Sequence, residues 1–443
     1  MKIQLSEHFT YRKLLRFVFP SVVMMIFTSI YGVVDGLFIS NFVGKTAFAA
    51  VNLIYPYLMM LGCLGFVVGT GGSALVSKTM GEGDSRRANQ YFSMLIWVTI
   101  AVGAAITALG FLTLRPVSVL LGAEGDMVDQ CVFYGGIIMA AQTAFLLQVV
   151  FQSFFVTAER PQLGLAVSLA AGMTNMAMDA LFVGAFRWGL AGAAAATALS
   201  QVVGGVIPLV YFLCPNSTPL RLGRARVDWR ALWRVILNGS SELMTNVSSS
   251  LVNMLYNLQL ARLAGEDGIA AYGVIMYVNF VFAAIFLGYA VGSAPIISYH
   301  FGAENHGELK SLLRKSLLLV AGAGVAMLVI AFTAAPALSG VFVGYDRELR
   351  EMTRWAIQLY AFSFLLAGFN IFASSFFTAL NDGPVSAAIA FLRTLVFQTS
   401  AVLLLPLVLK LDGVWLAITV AEALALLVSA GFLAGKRKIY HYA

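Results

Sequence analysis

Residues 14–40 read LLRFVFPSVVMMIFTSIYGVVDGLFIS, and this stretch decides the fold. As a helix it would run about 40 Å at ~1.5 Å per residue, enough to cross a hydrocarbon core of about 30 Å. One carboxylate, Asp35, sits inside it. Working outward, eleven more runs have spanning length: 51–77, 91–114, 128–157, 163–186, 190–213, 235–264, 269–299, 312–335, 352–380, 385–409 and 414–434. Backbone polar groups in lipid must be bonded within the segment, so all twelve are expected to be helices. With 60% hydrophobic and 11% charged residues in 443, the composition excludes a soluble globular chain. The class implied is an all-α integral membrane protein.

Residues 1–13 are mostly polar and the first apolar run is of full spanning length, so no cleavable signal peptide is expected. Cys63, Cys131 and Cys214 stand apart, without metal or redox spacing. Of the 28 lysines and arginines, Arg393 falls within a span, nineteen lie on the side of the N-terminus and eight on the other. That bias puts both termini in the cytoplasm, in a multi-pass protein of the cell membrane. The topology accounts for the net charge of +7, so nucleic acid is not expected as a partner. The bilayer is.

The chain repeats itself. Gly44-Lys-Thr-Ala-Phe-Ala-Ala-Val matches Gly265-Glu-Asp-Gly-Ile-Ala-Ala-Tyr, Gly65-Phe-Val-Val-Gly69-Thr matches Gly288-Tyr-Ala-Val-Gly292-Ser, and the charged turn at Gly81 matches that at Gly302. The offset is about 222 residues, half the chain, which marks a duplication. Six spans per half is an even number, so the halves are parallel repeats with the substrate expected between them. The expected organisation is an N-terminal segment 1–13, a first lobe 14–213, a linker 214–234, a second lobe 235–435 and a tail 436–443. The linker, with five arginines and two prolines, is long enough to let the lobes rock.

Ionisable groups buried in lipid are costly and mark function or a partner. In the first half Asp35 (span 1), Asn175 and Asp179 (span 5) and Thr197 (span 6) fall at one depth, about 9–13 Å from the far surface at ~1.5 Å per residue. Asn175 and Asp179 are spaced i, i+4 and share a helix face. Two carboxylates with an amide and a hydroxyl, and no base beside them, suit either of two tasks: sharing a proton, or giving oxygen ligands to a hard monovalent cation such as Na+. Pro20 lacks the N–H that would reach Arg16, so a kink in span 1 is expected.

The second half differs. Glu242, Asn246, Ser249, Asn253 and Asn257 form one polar stripe on span 7, which should face a cavity or the other lobe. Arg393 and Glu422 fall at similar mid-depth on consecutive spans and are expected to pair as a structural salt bridge. Gln148 and Gln152 on span 4, and Asn370 with Ser374 on span 10, are i, i+4 polar pairs that are candidates to line the cavity.

The runs Pro20…Asp35-Gly36-Leu37-Phe38-Ile39, Gly44…Ala49-Ala50-Val51 and Gly69…Leu75-Val76-Ser77…Gly81 resemble the first repeat of the multidrug and toxic compound extrusion (MATE) family. Asn175-Met-Ala-Met-Asp179-Ala-Leu-Phe resembles its span-5 motif, and Gly292-Ser-Ala-Pro295-Ile-Ile-Ser-Tyr-His-Phe-Gly302-Ala its second-half counterpart. The style is nearest the prokaryotic DinF-like and MepA-like branches. The resemblance implies two six-helix lobes in a V, acting as a monomer that exports organic cations and drugs in exchange for H+ or Na+. It implies no cofactor beyond the coupling ion. It implies that Asp35, Asn175, Asp179 and Thr197 form the cation site, and that Pro20 is where span 1 bends on protonation.

Three rival functions compete with export. A flippase for lipid-linked sugars shares a two-lobe architecture, but a pyrophosphate headgroup calls for several basic cavity residues. Here one intramembrane base, Arg393, stands against four acids. An enzyme is not expected, because His8, His300, His306 and His441 lie at ends and edges and no nucleotide or zinc motif is present. A passive channel fits the duplication and the proline in span 1 less well than alternating access does.

Overall fold

The computed structural model describes residues 3–43, 45–344 and 346–442. Gly44 of the repeat and Lys2 of the charge pattern lie outside them. Helix α1 is Tyr11–Phe38, running on as a π-helix through Ile39–Val43. Next come α2 (Lys45–Gly81), α3 (Ser85–Leu120), and α4, in which Asp126–Ala140 and Gln142–Thr157 meet at a 53° bend. Pro161–Met178 continues into a π-helical Asp179–Ala185 as α5, and α6 is Leu190–Leu213. The second half repeats this: α7 (229–264), α8 (266–302), α9 (His306–Val343), and α10, in which Arg347–Ala361 and Phe364–Ala379 meet at a 45° bend. Helix α11 (383–409) includes a π-helical Leu392–Gln398, and α12 is 411–440. All twelve expected spans are helices, and the two bent ones occupy equivalent places in the two halves.

Conformation repeats with sequence. Turns that join equivalent helices hold a left-handed residue at matching positions: Gly83 and Glu304, Glu159 and Asn381, Gly189 and Lys410. Asp84 caps α3 through the Arg87 N–H at 2.9 Å, as Asn305 caps α9 through the Glu308 N–H at 3.1 Å. At Gly189 (φ 58°, ψ −134°) the conformation suits glycine alone, yet its counterpart Lys410 adopts nearly the same angles (φ 52°, ψ −128°).

The halves meet along a seam of small residues. Gly81 and Gly302, repeat counterparts, bring α2 and α8 together backbone to backbone: a Cβ on Gly302 would lie 2.0 Å from the Lys78 carbonyl oxygen, and one on Gly81 2.0 Å from that of Tyr299. Gly71 and Gly239 do the same between α2 and α7, and Gly288 and Gly292 bring α8 onto Val22 and Val18 of α1. This seam lies toward the face that carries both termini. Toward the opposite face the first half keeps a core of its own, built from Ile39, Ala50, Ile54, Cys131, Val183 and Ala193 among others. The lobes therefore form a V, closed at the terminal face and open at the far one.

Two features went unread in the sequence. Residues 3–10 form a strap under the V. Leu5 and Phe9 are fully buried, the Leu5 N–H donates to Glu159 at 3.0 Å, and Glu308 accepts the Phe9 N–H at 2.9 Å with His8 Nδ1 2.5 Å away. The strap thus ties the α4–α5 turn of one half to the start of α9 in the other. The linker, read from the sequence as long enough to let the lobes rock, is fastened to α3. Asn89 Nδ2 donates to the Pro219 carbonyl at 3.0 Å, the Gly223 N–H to Ser93 Oγ at 3.0 Å, and Trp97 Nε1 to the Gly223 carbonyl at 3.0 Å. Pro20 is buried, and α1 runs as one helix through it.

Candidate functional site

The four residues singled out in the first half come together. Thr197 Oγ1 is 3.4 Å from Asp35 Oδ1, and Asn175 Nδ2 is 3.4 Å from Thr197 Oγ1. Asn175 is buried, and Asp179 is 0% exposed. Asp35 and Asp179 lie close enough for their carboxyl groups to interact. Both Asp179 oxygens and Asn175 Oδ1 lack a protein hydrogen-bond donor.

Backbone irregularity shapes this site. Asp179 is the first residue of one π-helical segment, and Asp35 lies one turn before another, Ile39–Val43. A π turn inserts a residue and rotates the rest of the helix about its axis, and such turns recur at functional sites. Two desolvated carboxyl groups this close cannot both stay charged unless something positive lies between them. A shared proton or a small cation meets that need, and the unpartnered oxygens point to where it would sit. Among the described residues, no set of three or more His, Cys, Asp or Glu is grouped to hold a metal ion, so any cation here would also use Asn175 and Thr197 oxygens.

The second constellation lies at the floor of the V. A small cavity of about 80 Å³ is walled by Thr70, Ser73 and Ser153 from the first half. From the second half come Ser241, Glu242, Thr245, Ser374, Ser375, Thr378 and Arg393, with apolar Leu287, Val291 and Ile371. Glu242 faces this space, whereas Arg393 is turned back to the wall. Its Nη2 is 2.8 Å and its Nε 2.9 Å from Glu422 Oε1. Glu422, 1% exposed, also accepts from Asn370 Nδ2 at 2.7 Å, and Ser429 Oγ donates to Asn370 Oδ1 at 2.9 Å. The pair read from the sequence is formed, within a closed network.

The remaining candidates scatter. Asn370 is 0% exposed and stands behind the cavity wall as part of that network. Asn246 donates back to the Glu242 carbonyl at 2.8 Å, Asn253 accepts from Tyr272 Oη at 2.8 Å, and both are exposed together with Asn257 on the open side of α7. Gln148 is buried against Gly204, and Gln152 is partly buried; neither lines the central cavity. Ser374 lines the cavity as expected, but the rest of the hydroxyl-rich wall was missed in the sequence. Its hydroxyl residues lie on four helices (α2, α4, α7 and α10), and pairs at helical spacing such as Ser241/Thr245 and Ser374/Thr378 do not by themselves say which helices face one another.

A two-lobed, twelve-helix membrane fold with a buried acidic site in one lobe and a polar cavity between the lobes is the architecture of a membrane transporter. The MatE family profile matches twice, at residues 20–181 and 243–402, once per half and with the spacing of the internal repeat. The chain belongs to the MatE family, the multidrug and toxic compound extrusion transporters, and is a transporter rather than an enzyme. It is 22% identical over 418 residues to the multidrug export protein MepA of Staphylococcus aureus (strain MSSA476), covering 94% of this chain and 92% of that protein. Among solved structures, a MATE transporter in complex with MaL6 superposes with a TM-score of 0.92 at 20% identity, covering 98% of this chain and 97% of the other. A MOP superfamily transporter from Pyrococcus furiosus gives 0.89 at 21% identity over 98% and 97%. At these identities the likeness establishes the fold.

Proposed function

We propose that the protein is a multidrug exporter that moves organic cations out of the cell in exchange for H+ or Na+, by alternating access of its two lobes. One observation carries the reading: Asp35 and Asp179 meet in a buried pocket with Asn175 and Thr197, and Asp179 has no protein partner donating to it. That pocket needs a transferable positive charge, and a proton or sodium ion supplies it. Occupancy changes the packing of α1 against α5 and α6, and Pro20, which frees the Arg16 carbonyl from its helical bond, makes α1 the helix that can bend in response. The substrate occupies the open V above the cavity at Glu242, where a carboxylate, hydroxyls and apolar side chains suit a flat, positively charged molecule.

In this reading residues 14–213 and 235–435 are the moving bodies and the terminal face is cytoplasmic, as the excess of basic residues there requires. The chain acts as a monomer, because the site and the cavity are complete within one copy. The test is cellular: expression in a drug-sensitive bacterium should lower ethidium accumulation, and Asp179→Asn should abolish that effect at equal membrane abundance. Unchanged accumulation with wild-type protein across a panel of organic cations would refute the substrate class.

A further inference from the structure

The fastened linker creates a basic cleft that the transport mechanism does not use. Arg221 N–H donates to Asn89 Oδ1 at 2.6 Å, and Leu220 and Leu222 sink into the core beneath. The guanidinium groups of Arg221 and Arg224 are therefore carried on a fixed backbone beside the first turns of α3. Arg86, Asn89, Gln90, Ser93, Arg221 and Arg224 line the wide cleft between them.

Among the described residues, none of the three arginines has a carboxylate at ion-pair distance. The two nearby acids are committed elsewhere. Asp84 caps α3, and Asp228 caps α7 through the Arg230 and Ala231 N–H groups at 3.0 and 3.1 Å. Arg87 turns away to Tyr91, its Nε 2.8 Å from the phenol oxygen. A charge bias of this kind sets topology by sign alone. It does not require three guanidinium groups without a carboxylate partner to be held around one cleft, Arg221 Nη2 donating to the Asn216 carbonyl at 3.3 Å.

Its level in the membrane is marked by tryptophans. Trp97 is 44% exposed, and Trp229 and Trp233 are 75% and 61% exposed. Indole rings gather at the boundary between hydrocarbon and headgroups. Gln90 lies about 10 Å along α3 from Trp97, toward the terminal face, at ~1.5 Å per residue. That is headgroup depth. Guanidinium forks with amide and hydroxyl donors match a phosphate diester.

We propose that the cleft formed by Arg86, Arg221 and Arg224 binds the phosphate headgroup of one anionic phospholipid from the leaflet at the terminal face, holding the linker against α3. The binding is independent of which ion drives transport.

The test is native mass spectrometry of the purified full chain in detergent, titrated with phosphatidylglycerol or phosphatidylcholine. We expect one phosphatidylglycerol to bind about tenfold more tightly than phosphatidylcholine. Arg86→Gln/Arg221→Gln/Arg224→Gln should lose that preference, while Arg437→Gln/Lys438→Gln, on the same face, should keep it. Should the triple variant fail to fold, the exposed single variant Arg224→Gln should still weaken phosphatidylglycerol several-fold. Wild-type binding in both would overturn the proposal. Inorganic phosphate in excess should not displace the lipid; displacement would identify a soluble-anion site and overturn the lipid assignment.

Discussion

Gly302→Ala tests the seam on which alternating access depends. The added Cβ would lie 2.0 Å from the Lys78 carbonyl oxygen and 2.8 Å from its carbon. Ordinary contact needs about 3.4 Å or more, so α2 and α8 must separate by roughly 1.4 Å. Both contacts are backbone and cannot swing aside. Overpacking of this kind costs about 1–3 kcal/mol, a strain present in the closed terminal face and relieved once the lobes part. The ratio of closed to parted forms should therefore fall by roughly 5- to 150-fold. Val18, 1% exposed and packed on Gly292 across the same seam, reports on it. With Cys214 replaced by serine, the rate at which a hydrophilic maleimide labels Val18→Cys from the terminal face should rise by about that factor. Gly322→Ala is the control, since nothing lies within 4 Å of a Cβ there. Labelling of Gly302→Ala within twofold of its parent would refute the reasoning, because the clash would then be absorbed without opening the seam.

Three further predictions concern stability and the strap. Lys410 holds a conformation suited to glycine, so Lys410→Gly should stabilise by about 1 kcal/mol, measured as a higher thermal midpoint in detergent. A lower midpoint would mean that the turn carries no strain. Removing one partner of the buried Arg393–Glu422 pair, as Glu422→Leu, should cost about 3–5 kcal/mol, and Arg393→Met in the same chain should recover most of it. No recovery in the double variant would point to a role for Arg393 beyond the pair. Glu308→Ala removes the acceptor of the Phe9 N–H and the partner of His8, so trypsin should cut at Arg12 and Lys13 several-fold faster. An unchanged rate would show that the strap is held without Glu308, by buried Leu5 and Phe9 and by the bonds to Glu159 and Lys315.

The spans were legible because lipid imposes one rule on every residue in them: backbone groups bond within the helix and apolar side chains face outward. The duplication was legible because glycines at Gly81 and Gly302 cannot vary while backbones cross there. Asp35, Asn175, Asp179 and Thr197 could be gathered from depth alone, since parallel helices turn sequence position into height. Lateral direction is another matter. For Asn370 and the stripe at Asn246, Asn253 and Asn257, whether each faces a cavity, a partner or the open side depends on helix rotation, which π turns and the bends in α4 and α10 alter. The fastened linker and the strap escaped for a different reason. Their contacts, Gly223 with Ser93 and Trp97 or Phe9 with Glu308, join residues over 100 apart through backbone atoms that every residue carries.

The central claim, that the Asp35–Asp179 site couples export to an ion, is tested most directly in proteoliposomes loaded with a fluorescent organic cation. A pH gradient and a sodium gradient are imposed separately on wild type, Asp35→Asn and Asp179→Asn. Movement driven by one gradient in wild type and absent from both variants, with folding intact, is the predicted result and identifies the coupling ion. Gradient-driven movement that persists in both variants would contradict the account.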